Sequence, residues 1–312
     1  MTLLDDTLGA AFLGCLAAAI LYGVTSVQTF LYFQGHPIKD GRFFKLAIFG
    51  LWAVDTIHIA FTAHGMYYYL VTSFGKFEVL LAPTWSLLAG VYLTNISDIT
   101  VRCFFAMRVY LLCGRSRPVL RIVLPVIIII LALLVFITGN AFASKGFVLK
   151  TFARLNDVSF YLYTSFAAAV VADTLVALSL CTLLFNSRTG IKRTDSVVKV
   201  MMAFVINTGL LTSVCAMGCL VTYAIWPDKF IFMGLYFALS KLYVNSLLAS
   251  LNARSSLRTR EQADPTNFEN VAIETPIVFP TRVTNTPATT VLDGTMKEMD
   301  TFQQTESSRS SS

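Results

Sequence analysis

Charge is what this sequence has least of. Only 13% of its 312 residues are Asp, Glu, Lys or Arg, against about 25% in a soluble domain. With 55% hydrophobic residues, the composition is that of a membrane protein. Acidic residues are scarcest in the apolar part: residues 1–260 hold 21 Lys/Arg against 10 Asp/Glu, and residues 261–312 hold 3 against 8. The basic excess therefore belongs to loops that face anionic lipid, not to a nucleic-acid surface. No Gly-rich phosphate loop, His-Glu helix pair or other hydrolase or transferase constellation is present. The chain reads as non-enzymatic and without a cofactor. Its six cysteines all lie inside apolar runs or at their ends, none in a long loop, which excludes an outer disulfide framework. Packing is the default for Cys113, with reversible acylation the alternative beside Arg115 and Arg117.

Long apolar runs are there instead. A spanning helix needs about 20 mostly apolar residues, and seven segments qualify: 8–33, 43–69, 85–112, 122–142, 160–185, 200–225 and 230–251. The first follows an acidic flank (Asp5, Asp6) and is too long for a signal-peptide core, so it reads as a span. Loops and helix ends on one side carry 14 Lys/Arg, among them Lys39, Arg115, Arg188 and Arg254; those on the other carry 5, including Lys76, Lys145 and Lys229. The bias puts the N-terminus outside and the C-terminus in the cytosol. The expected fold is an all-α membrane protein: residues 1–7 outside, a seven-transmembrane-helix bundle over 8–254, and a disordered cytosolic tail over 255–312. The tail has 15 Ser/Thr in residues 261–312 and too little apolar content to fold alone. Thr275 and Thr286, each before proline, are its phosphorylation candidates. The loop from Ala143 to Asp157 is expected outside. The plasma membrane is favoured over an internal one.

Ionisable residues fall inside these spans: Asp55, His58 and His64 in the second, Asp98 and Arg102 in the third, Asp173 in the fifth, Lys241 in the seventh. Each charge at mid-bilayer costs about 2.5–3.5 kcal/mol, so they are expected to face inward and pair. Asp55, Asp98, Asp173 and Lys241 all lie within about 1.5 Å of their span midpoints along the axis, which places them in a shared middle third of the bilayer. Asp55, His58 and Thr62 form one stripe; Asn95, Asp98 and Arg102 repeat its spacing; Lys241, Asn245 and Asn252 share a face. Asp98 precedes Arg102 by four residues, the favourable order for an intrahelical pair. Asp55 with Lys241 is the expected interhelical pair, read either as a structural lock or as part of a gate or binding site. The sixth span aligns Thr208, Thr212, Cys215, Cys219 and Thr222, small side chains suited to close packing. His64 reads as solvated. Asn95-Ile96-Ser97 matches a glycosylation pattern but lies inside a span and is rejected. His58 with Asp55 lacks a third metal ligand.

The stretches Leu51–His58, Thr194-Asp195, Asn207–Thr212 and Lys241–Arg254, with Leu21-Tyr22-Gly23, Gln28 and Tyr32, resemble a group of seven-helix proteins of mushroom-forming fungi. That group is filed under a domain of unknown function (6534 type). The resemblance covers residues 8–260 and implies an integral membrane protein, with no activity attached.

The function expected first is a receptor-like sensor of a small ligand. The alternatives are a transporter or proton-coupled carrier using the buried carboxylates and Lys241, and a membrane scaffold without ligand. A retinal pigment with a Schiff base on Lys241 is disfavoured, because none of the three tryptophans sits mid-helix in the fifth or sixth span. The ligand and polar-core candidates are Asp55, His58, Asn95, Asp98, Arg102, Asp173, Asn207, Lys241 and Asn245. The expected partners are the lipid bilayer, a small-molecule ligand, and a cytosolic signalling protein at the basic loops and tail; nucleic acid is not among them.

Overall fold

A computed structural model of the chain describes residues 5–35, 41–113, 118–186, 192–227 and 229–263; within these, the side chains of 5–6, 77, 153, 156, 192–208 and 254–263 are not described. The described residues are helical throughout their elements, with no strand. Among the described residues seven long helices follow one another: α1 Ala10–Gln34, α2 Arg42–Tyr67, α3 Trp85–Leu112, α4 Pro118–Leu149, α5 Ser159–Asn186, α6 Lys192–Ile225 and α7 Ile231–Ala263. Six are long and apolar enough to cross a membrane; in α6 the described apolar stretch is the shorter Gly209–Ile225. The chain is an integral membrane protein by length and composition of these helices.

Each long helix packs on the next, and α7 packs on α1, which closes a ring. Inside the ring α3 also touches α5 and α7, and α2 touches α7. The outer faces of α1 and α4 show what lipid asks for: Leu13, Ile20, Val119, Ile122, Ile130 and Ile137 are exposed, while Ala11, Ala18, Ile128, Ala132 and Val135 point inward. Polarity is inverted relative to a soluble bundle, because the surrounding hydrocarbon gives apolar side chains no reason to hide. Helix α7 is the exception. From Leu239 to Leu251 every residue except Leu242 and Ala249 is buried, so this helix has neighbours on all sides.

Close approach fixes the α1–α7 seam. A Cβ on Gly14 would collide with the backbone of Gly234, and one on Gly234 would lie 2.5 Å from the Ala10 carbonyl oxygen. Only glycine lets the two backbones come this near.

Several bounds differ from the sequence expectation. Helix α4 begins at Pro118, where a missing N–H costs nothing, and runs to Leu149. Residues 143–149 were expected in a loop; they stay helical because Ala143 and Gly146 are buried, with Gly146 against Leu88 of α3. Lys150, at φ 55°, then stops the helix, and its N–H donates to the Gly146 carbonyl, a left-handed C-terminal cap. A short helical turn Phe152–Leu155 and a 3-10 turn Asn156–Val158 lead into α5. Helix α2 continues into a π turn, Tyr68–Thr72. The Tyr69 hydroxyl donates to the Ala82 carbonyl at 2.8 Å and accepts from the Thr84 N–H at 3.0 Å, which pins the α2–α3 connection. Helix α7 extends to Ala263, so residues 255–263 are helix where tail was expected. The rest of the tail, with Thr275 and Thr286, and the basic positions Lys39, Arg115, Arg117 and Arg188 lie outside the described residues.

Candidate functional site: two polar clusters on helix α7

Helix α7 turns about 100° per residue, so Lys241 and Tyr243 leave it in nearly opposite directions. Each anchors a separate polar cluster. The acids and bases expected at a shared depth are thus divided between the two sides of this helix.

On the α1–α2 side, Lys241 Nζ donates to Asp55 Oδ1 at 2.5 Å and to the Asp55 main-chain carbonyl at 3.0 Å. Both side chains are 0% exposed. A charge removed this fully from water survives only with a partner, and each supplies the other's. The second carbonyl contact satisfies another of the three ammonium protons. One turn on, Asn245 Nδ2 donates to the Leu21 carbonyl at 3.0 Å, while Thr25 donates to Asn245 Oδ1 at 2.8 Å. Asn252 Nδ2 donates to the Gln28 carbonyl at 2.8 Å. Lys241, Asn245 and Asn252 thus tie α7 to α1 and α2 along one face. Thr56 gives its hydroxyl proton to the Trp52 carbonyl, so in the 2.9 Å contact with Tyr22 the phenol is the donor. His58, on the Asp55 stripe, is also buried, and its ring sits over Gly90 of α3.

On the α3–α5 side, Arg102 is the hub. Its Nη1 pairs with Asp98 one turn back on α3. Its Nε and Nη2 donate to the same oxygen of Asp173, Oδ1, at 3.2 and 3.1 Å. Nη2 also donates to the Tyr243 hydroxyl at 3.0 Å, and that hydroxyl donates to Asp173 Oδ2 at 2.7 Å. The result is a closed ring of hydrogen bonds joining α3, α5 and α7. Guanidinium suits this place because its planar fork can serve two carboxyls and a phenol at once. A cavity of about 20 Å³ opens beside it, lined by Arg102, Asp173, Gly209, Thr212, Tyr243 and Ser246 among others; that is room for about one water.

The remaining sequence candidates go elsewhere. Asn95 turns away from the centre and donates to Asn140 Oδ1 of α4 at 3.0 Å, packed over Gly139. Its stripe with Asp98 and Arg102 is therefore not one functional face. His64, read as solvated, is exposed and also shares a 3.0 Å hydrogen bond with Ser86 of α3. Asn207 lies among the residues whose side chains are not described, as does Thr208. Cys215 and Cys219 of α6 face α7, each thiol pointing at a main-chain carbonyl, of Leu235 and Phe232 respectively. Among the described residues no three His, Cys, Asp or Glu side chains converge as for a metal ion.

Tyr243, Thr25 and Ser250 were missed from the sequence. A tyrosine or threonine in an apolar run carries no formal charge to flag it. For Tyr243 the spacing was a signal: two positions after a lysine expected to face inward, it leaves the helix on nearly the opposite side. Ser250 accepts from Arg108 of α3, a second link between α3 and α7 beside Arg102–Tyr243.

Comparison with known proteins adds one match. Residues 169–256 match the model of a family described as of unknown function, DUF6534. The matched segment carries Asp173, Lys241, Tyr243 and Asn245; their partners Asp55, Asp98 and Arg102 lie before it. No curated protein and no solved structure matches the chain.

Proposed function

We propose that the protein is a seven-span receptor-like sensor of a small ligand, with α6 as the additional span. Its N-terminus lies outside, its α7 end lies in the cytosol, and it resides in the plasma membrane. The Lys/Arg bias among the loops supports the orientation.

The observation that carries the sensor reading is that α7 is held by two independent polar clusters to four other helices. A helix fastened by a few discrete, directional contacts has defined alternative arrangements. Greasy packing alone offers no such contrast between states. A ligand that favours one arrangement shifts the population by its differential affinity. Lys241–Asp55 and Arg102–Asp173–Tyr243 are the locks that change, and the signal is read at the cytosolic loops and the α7 extension. The small volume beside Arg102 supports a lock over a chamber for a transported solute.

The test is a thermal-melt screen of the full-length protein in detergent, wild type beside Lys241→Met, against lipids, sterols, volatiles and sugars. A compound that raises the melting temperature of wild type but not of the variant supports a ligand site coupled to the lock. Solute flux in liposomes driven by a pH gradient and abolished by Asp55→Asn replaces the sensor with a carrier.

A further inference from the structure

The Arg102 cluster is out of charge balance. It contains two carboxyls, Asp98 and Asp173, and one cation, all buried. The other cluster has no charge to spare, because Lys241 already balances Asp55. Titratable groups on the helices around the pair can be named helix by helix. Helix α3 carries Asp98 and Arg102 themselves, with Arg108 about 9 Å further along its axis; α5 carries Asp173, and α7 carries Tyr236, Tyr243 and, on its other side, Lys241. Helix α2 offers Asp55 and His58, and α6 Cys215 and Cys219. Helix α4 carries Arg121 and Lys145, each near one of its ends. Lys241 is committed to Asp55 and Arg108 hydrogen-bonds Ser250; among the described side chains Arg102 is the cation paired with the two acids. On α6 the nearest basic residue before Gly209 is Lys199, ten positions earlier and about 15 Å away along the axis.

The two carboxyls are not equivalent. Both oxygens of Asp173 accept hydrogen bonds, three of them from Arg102 and Tyr243. That is the environment of an ionised carboxylate. Asp98 meets Arg102 through Oδ2, while no described protein donor reaches its buried Oδ1. A bare oxygen on a buried acid is where a proton sits with least cost. Thr94 lies one turn before Asp98 on the same face of α3, and it too is buried.

We infer that Asp98 and Asp173 hold one exchangeable proton between them, seated on Asp98 Oδ1, so that the junction of α3, α5 and α7 is a proton-binding site. Binding is simple addition of H⁺ to a carboxylate oxygen, and release leaves an unbalanced negative charge beside Asp173. Release therefore sets the two acids against each other across the α3–α5 seam and strains the ring that holds Tyr243. The site is independent of whether the bundle signals or transports.

Infrared spectroscopy of the full-length protein at neutral pH tests this directly. Wild type is expected to show a protonated-carboxyl C=O band that shifts down in D₂O and shifts again when aspartate is ¹³C-labelled at its side-chain carboxyl. An ionised carboxylate has no such band, so only a protonated acid contributes. The band is lost in Asp98→Asn and retained in Asp55→Asn. It is also lost in Asp173→Asn, where Asp98 faces Arg102 one to one and ionises. Absence of the labelled band in wild type overturns the inference, and that reading needs no variant to fold. A band that persists in Asp98→Asn overturns it as well. So does a wild-type melting temperature that rises with sodium and is indifferent to pH, which would put a cation where the proton is assigned.

Discussion

Lys241 and Tyr243 stand two residues apart on α7 and hold opposite halves of the bundle: the lysine bonds Asp55 of α2, the tyrosine bonds Asp173 of α5. Because a helix turns about 100° per residue, neither can shift by rotation of α7 without dragging the other. The two clusters are mechanically linked through one turn of backbone, although no side chain of one hydrogen-bonds a side chain of the other among the contacts described above.

Removing one member of the Asp55–Lys241 pair leaves a buried charge alone. Lys241→Met is expected to destabilise the protein by about 3–5 kcal/mol. The double change Lys241→Met with Asp55→Leu removes both charges and is expected to recover most of that loss. Melting temperatures of the two variants in the same detergent check it; a double variant no better than the single would show that the pair is not the cause.

Tyr243→Phe keeps the ring and removes only the hydroxyl that accepts from Arg102 and donates to Asp173. Leaving Asp173 Oδ2 unsatisfied is expected to cost about 1–3 kcal/mol. Arg102→Lys is expected to cost more, because an ammonium cannot reach Asp98, Asp173 and Tyr243 together. Unfolding in denaturant, measured for both variants, gives the order.

The α1–α7 seam depends on two glycines. Gly234→Val is expected to force α1 away from α7 and weaken the bonds from Asn245 and Asn252. The expected result is a lower yield of folded protein and a lower melting temperature, by more than for Gly23→Val, where a Cβ meets nothing within 4 Å. Size-exclusion profiles of the two variants compare them directly.

Asn95→Ala separates structure from signal. Asn95 serves the α3–α4 interface through Asn140, not the α7 clusters. Its loss is expected to cost about 0.5–1.5 kcal/mol while leaving any ligand-induced rise in melting temperature intact. Asn245→Ala, which breaks the ties to Thr25 and Leu21, is expected to reduce that rise.

Much of the architecture is written along the chain. Apolar length alone locates the helices, since a segment that crosses hydrocarbon must satisfy its own backbone, and Trp85–Leu112 falls where the run predicts. The ends were less legible. Helix α4 outlasts its most apolar stretch because Ala143 and Gly146 pack on α3, and α7 continues past Asn252 into polar sequence. Neither boundary is marked by hydropathy.

The sequence by itself determined that this protein lives in a membrane, that its charges must pair, and that Asp98 and Arg102 share a face, because cost in hydrocarbon and helical spacing are local facts. Only the tertiary structure decided who pairs with whom. Three acids and two bases at similar depth admit several pairings, and the order of helices around the ring chooses among them. It brought Asp173 to Arg102, not to Lys241, recruited Tyr243, and sent Asn95 outward to α4. Those choices depend on distances between segments far apart in the chain, which no periodicity encodes.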